Sequence, residues 1–150
     1  MKNPLVPLLV AIGIGLVGAP APAPAQGQPE GAAARVPLED YFKGHALGDG
    51  AYMRKAFHPD AKICSNQNGK LVCWTVEEFA GRFTSGPAAD EAKRKRTIAS
   101  LDITGDAAVA KIILDYPAVT FTDYMSLMKV GGEWKIMNKV FFADRHARSK

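Results

Sequence analysis

The sequence predicts an α+β domain in which three short helices precede a mainly antiparallel sheet. Three observations predict it. Apolar residues recur at helical spacing between Leu38 and Phe83, an Asn68-Gly69 turn joins two short runs, and four long alternating runs follow Pro87.

The chain opens on Lys2, an apolar run from Leu5 to Val17, and Ala21-Pro22-Ala23-Pro24-Ala25. A basic start, an apolar middle and small residues at 23 and 25 predict a signal peptide over residues 1–25, cleaved after Ala25. The mature chain is then expected in the periplasm or secreted. Pro7, Gly13 and Gly15 interrupt the run, which falls short of the roughly 20 apolar residues of a membrane span. No membrane anchor is expected in the mature form. Residues 26–35, rich in Gly, Ala, Pro and Gln, read as a flexible linker. The domain is expected over residues 36–145, with a C-terminal tail over residues 146–150.

Leu38, Tyr41, Phe42 and His45 share one helical face, with Pro37 in the first turn and Gly48 after the last. A second helix carries Met53, Ala56 and Phe57 and stops before Pro59. A third begins at Thr75, whose capping box with Glu78 precedes the stripe Val76, Phe79, Ala80 and Phe83. Asn68-Gly69 between the second and third helices predicts a hairpin, because both positions accept positive φ. Counting outward pairs Cys64 with Cys73 at a non-hydrogen-bonded position, where Cα atoms lie about 4.5 Å apart. In an oxidising compartment that register favours a disulfide. The remaining strands are expected at 97–104, 107–116, 119–130 and 133–142, turning at Gly105-Asp106 and Gly131-Gly132.

Charge excludes little. The chain carries +4, and removing Lys2 leaves 18 basic residues against 15 acidic. The cluster Lys93-Arg94-Lys95-Arg96 lacks an aromatic stacking platform, so no nucleic acid is expected as a partner. His45, His58 and His146 show no metal-ligand spacing, and no phosphate loop, dinucleotide fingerprint or nucleophile elbow occurs. No metal and no cofactor are expected.

The phrases Tyr41-Phe42, Gly48-Asp49, Phe57-His58-Pro59-Asp60-Ala61 and Gly132-Glu133-Trp134-Lys135-Ile136, in this order of elements, resemble the nuclear transport factor 2-like superfamily. The likeness spans residues 37–142 and is closest to its lumazine-binding-like (SnoaL-like) group. The resemblance implies a strongly curved sheet wrapped into a cone, with the helices closing its wide side. It also implies ligands that enter the cone and chains that commonly pair through the sheet into homodimers. Relatives include isomerases, cyclases, dehydratases and non-catalytic binding domains, so the fold alone does not give the activity.

Candidate site residues are the polar groups on otherwise apolar faces, since a buried polar group requires a partner. Alternation puts Asp123 among Val119, Phe121, Met125 and Leu127, and Asn138 among Trp134, Ile136, Val140 and Phe142. His45 and the Tyr41 hydroxyl interrupt the stripe of the first helix. Each has a structural alternative, as a core network or a tie to neighbouring backbone. Against the ketosteroid isomerase pattern, Tyr41 and Asp123 match the two oxyanion donors, while the general base falls near Ser65, which cannot abstract a carbon-bound proton.

The expected function is binding of a small apolar organic ligand through Tyr41, His45, Asp123 and Asn138, with Trp74, Tyr116 and Trp134 as aromatic surface. The alternatives are an enzyme of the dehydratase, cyclase or isomerase type using His45 and Asp123, and a dimeric interaction module with a filled cone.

Overall fold

The computed structural model describes residues 28–147. The expected signal peptide, its cleavage site and the last three residues of the tail lie outside the described residues. In chain order the elements are α1 (Gln28–Leu47), α2 (Gly50–Ala56), β1 (Phe57–Gln67), β2 (Lys70–Thr75), α3 (Val76–Ala80), β3 (Lys95–Thr104), β4 (Ala107–Tyr116), β5 (Val119–Val130) and β6 (Glu133–Arg145). A short 3₁₀ turn at Glu91–Lys93 leads into β3.

The six strands form one sheet in the order β2-β1-β6-β5-β4-β3, antiparallel except where β1 runs parallel to β6. The hairpin has the expected register, with Asn68 and Gly69 both at positive φ and Cys64 opposite Cys73. Those cysteines form a disulfide with Cα atoms 4.1 Å apart. Thr75 caps α3 with the reciprocal Glu78 bonds of a capping box. Gly48 sits at φ 59°, where a Cβ would collide with the Gly86 carbonyl, so the chain leaves α1 tightly under the loop that follows α3.

Two segments depart from the expected boundaries. Helix α1 begins at Gln28, so the stretch read as a flexible linker supplies two helical turns. Tertiary contact rather than periodicity holds them: Ala34 is fully buried, and Glu30 bridges Lys129 and the Trp134 indole at 2.7 and 3.1 Å. Pro37 therefore lies inside the helix instead of at its start. The second helix, expected to carry Phe57 and stop before Pro59, ends at Ala56, and Phe57-His58-Pro59-Asp60 lies within β1, where the pairing with β6 slips between Phe57 and Lys62.

The core fills the space between the helices and the inner face of the sheet. Leu38, Tyr41, Met53, Phe57, Ile63, Ile112, Leu114 and Ile136 are its largest buried side chains. Two β-bulges bend the sheet around this core, because an extra residue on one strand sharpens its local twist. One lies in β3 at Ala99, where Ile98 and Ser100 face the consecutive Ile112 and Lys111. The other lies in β6 at Met137, where Asn138 and Ile136 face the consecutive Ser126 and Leu127.

Candidate functional site

The second bulge decides which side chains enter the cone. Alternation without it puts Asn138 inside and Lys139 outside. With Met137 as the extra residue, Ile136, Lys139 and Phe141 point inward, and Asn138, Val140 and Phe142 point outward. Lys139 is accordingly 3% exposed, while Asn138 belongs to the outer face. The expected place of Asn138 in the cone is corrected on this ground.

Lys139 completes a buried cluster with two of the sequence-selected residues. The Tyr41 hydroxyl donates to Asp123 Oδ2 at 2.7 Å and accepts from Lys139 Nζ at 2.6 Å. Nζ also lies 3.1 Å from Asp123 Oδ1. Helix α1 brings the phenol, β5 the carboxylate and β6 the amine. The ring faces of Phe141, Tyr41 and Phe79 surround the amine, with centroids 4.7, 4.9 and 5.1 Å from Nζ.

Burial dominates the electrostatics. It pulls Lys139 below the ordinary lysine range, against the opposing pull of Asp123. Burial, with the neighbouring Asp123 charge, pushes Tyr41 well above the ordinary phenol range. Tyr41 and Asp123 thus meet as donor and acceptor. They are not two donors aimed at one empty point, and the resemblance to an isomerase oxyanion hole does not extend to their geometry.

His45 stacks edge-on against Tyr41 and Phe83, with centroids 4.6 and 4.9 Å away. Its buried Nε2 has no hydrogen-bond partner among the described residues. Burial, reinforced by Lys139, Arg96 and Arg94, holds its pKa well below the usual imidazole value. No hydrogen bond joins His45 to Asp123; both touch Tyr41 instead.

The aromatic candidates separate. Trp74 stacks on Phe141 at 6.2 Å, and Arg82 sits 4.7 Å over its ring. Tyr116 lies beneath the guanidinium groups of Arg94 and Arg96, at 4.4 and 5.2 Å. Arg96 also forms a two-bonded pair with Glu91, and Arg94 bonds Asp90, so half of the basic cluster is committed internally. Trp134 is pinned to Glu30 beside a separate cleft of about 260 Å³, lined in part by Ala33, Pro37 and Asp40.

A hollow of about 820 Å³ forms the mouth of the cone beside the hairpin. Trp74, Phe121 and Phe141 form its aromatic wall, and Ser65, Arg82 and Arg145 are among its polar lining. Phe141 lines this mouth on one side and covers Lys139 on the other. Neither Lys139 nor Arg82 was singled out from sequence. Lys139 carries no sequence signal unless the bulge is known.

Comparisons with known proteins agree with this architecture. The model of the family described as "Putative lumazine-binding" matches residues 29–142. A nuclear transport factor 2-like protein of unknown function from Shewanella baltica superposes with a TM-score of 0.71 at 29% identity, covering 78% of this chain and 95% of that one. A similar protein from Methylobacillus flagellatus gives 0.69 at 28% identity, covering 79% and 96%. In sequence the chain is similar to "Aldolase FrzH" of Cladobotryum sp, 20% identical over 101 residues that span 67% of this chain and 81% of that one. A family match over three quarters of the length, on a cone-shaped sheet of this topology, means that the chain belongs to the lumazine-binding-like family of the nuclear transport factor 2-like superfamily.

Proposed function

We propose that this chain is an exported domain that holds a small, largely apolar organic molecule in the mouth of its cone. One observation carries the reading: an aromatic-walled hollow of about 820 Å³ lies one ring away from a buried Tyr41–Asp123–Lys139 cluster. Small-molecule sites are concave, mostly apolar and equipped with a few placed polar groups, and this volume falls in their range. Trp74, Phe121 and Phe141 offer stacking surface, and Arg82 and Arg145 favour a ligand with an anionic end. The Cys64–Cys73 disulfide supports a periplasmic or secreted location, where such bridges persist. Among the described residues no helix is long and apolar enough to cross a membrane.

Native mass spectrometry of protein purified from its own compartment, together with calorimetry against aromatic carboxylates, tests the reading. Binding that Trp74→Ala weakens about two- to tenfold is the expected result, since stacking on one aromatic is worth about 0.5–1.5 kcal/mol. No bound molecule and no heat with any aromatic carboxylate would reject it.

An enzymatic reading is favoured by one specific observation, the amine of Lys139 buried against a phenol and a carboxylate. Similarity to an aldolase points the same way. An acid–base pair of His45 and Asp123 lacks comparable support, since no hydrogen bond links them.

A further inference from the structure

We propose that Lys139 captures an aromatic carbonyl compound held in the mouth, forming an imine at its Nζ. This deepens the pocket reading and rests on it. Three features of the geometry carry it. The amine is shielded from water, and the Phe141 ring that covers it also lines the mouth. Its two polar neighbours, Tyr41 and Asp123, can take up and return one proton. The two arginines at the rim would hold a carboxylate on the far end of the molecule, which makes aryl aldehydes or ketones bearing a carboxylate the favoured class.

The step balances without oxidant or reductant. The Lys139 ammonium passes one proton to Asp123, 3.1 Å away, and becomes a free amine. Its lone pair forms a bond to the carbonyl carbon while the carbonyl π pair moves to oxygen. A proton shifts from nitrogen to that oxygen, giving a carbinolamine. Tyr41 then gives its proton to the hydroxyl and takes the one stored on Asp123. The C–O bond breaks, water leaves, and the nitrogen lone pair closes the C=N bond. Ammonium and carbonyl yield a protonated imine and water, and the charge stays on the nitrogen beside Asp123, which is again a carboxylate. A depressed lysine pKa, caused here by burial, makes the free amine available nearer neutral pH than on surface lysines.

The test uses the wild-type chain with para-formylbenzoate, reduced with sodium cyanoborohydride at neutral pH and then mapped by peptide mass spectrometry. Its carbonyl-free analogue, para-methylbenzoate, reports occupancy of the mouth by calorimetry. One adduct per chain at Lys139, in at least about tenfold excess over any surface lysine, is expected, because a carbonyl held beside one amine reacts as an intramolecular pair while surface lysines meet it only from solution. Phe141→Leu, which thins the cover, should speed capture. If para-methylbenzoate binds but adducts spread over surface lysines, the imine is overturned and the pocket stands. If neither compound binds, both readings fall. Mapping the wild-type chain makes the outcome independent of whether Lys139→Met folds.

Discussion

Replacing Asp123 by Ala removes the acceptor of the Tyr41 hydroxyl and the counter-charge of Lys139 in one change. Both stranded groups are buried, Tyr41 completely and Lys139 to 97%, so water cannot replace the lost partner. Breaking a buried ion pair by removing one member costs about 3–5 kcal/mol. The orphaned hydroxyl adds about 1–3 kcal/mol. Against a total stability of about 5–15 kcal/mol for a domain of this size, that loss is severe. Lys139→Met alone should also be costly, because Asp123 keeps only Tyr41. The double variant Asp123→Asn/Lys139→Met is expected within about 2 kcal/mol of wild type, since it removes both charges and leaves the phenol an amide oxygen.

Urea melts at neutral pH of the wild type, Asp123→Asn, Lys139→Met and the double variant measure all four corners of this cycle. The double variant should be at least about 3 kcal/mol more stable than the sum of the single losses implies. Asp123→Ala at or above wild-type stability would refute a structural role for the cluster and would leave Asp123 as a residue kept for a ligand. pH adds a second readout. Removing the carboxylate of Asp123 leaves burial unopposed, so the Lys139 pKa moves further below its ordinary 10.5. Between the folded and unfolded values the unfolded chain binds more protons, so stability rises with pH in that window. The deficit of Asp123→Asn should therefore shrink from neutral pH toward pH 10, about where tyrosines begin to ionise.

The other predictions concern separate parts of the fold. His45 is held below its ordinary 6.5, so the folded state resists the proton that the unfolded state accepts, and stability is lost as pH falls below 6.5. Melts of His45→Phe between pH 7 and 5 should show that loss reduced by up to about 1.4 kcal/mol per pH unit; an unchanged slope would place the acid sensitivity elsewhere. Reducing the Cys64–Cys73 bridge, which spans a sequence separation of 9, should cost about 2–3 kcal/mol without unfolding the domain, as thermal melts with and without reductant would show. Val109, Tyr124, Val140 and Phe142 are exposed on the outer sheet face, where the first three line a hollow of about 420 Å³. A homodimer through that face is expected in sedimentation at high micromolar concentration, and Val140→Arg should shift it to monomer.

Short-range chemistry explains why some elements were legible in the sequence. The Asn68-Gly69 turn fixes its hairpin register locally, and with it the Cys64–Cys73 pairing. Thr75 and Glu78 cap α3 across three residues. The first two turns of α1 were not legible, because their support comes from Lys129 and Trp134, about a hundred positions away. Nor was the destination of Trp134, whose indole goes to Glu30 and not to the mouth. Phe83 keeps its predicted place against the core although α3 ends three residues before it.

The bulge at Met137 marks the same limit inside the site. Two-residue alternation assigns a whole strand from any one reliable position, so Trp134 and Ile136 carried Asn138 inward by extension. An inserted residue reverses that assignment for everything beyond it, and no residue type near Met137 announces the insertion. Both parities look plausible from sequence: Val140 with Phe142 on one side, Lys139 with Phe141 on the other. Three-dimensional consistency resolves them. Asp123 and Tyr41 are already committed inward by β5 and α1, and an inward carboxylate requires a counter-charge that Asn138 cannot supply. Lys139 supplies it, while Phe141 closes over the amine toward the mouth. One inserted residue thus bends the sheet and seats the cation of the cluster, so the curvature of the cone and the chemistry of its interior share a cause.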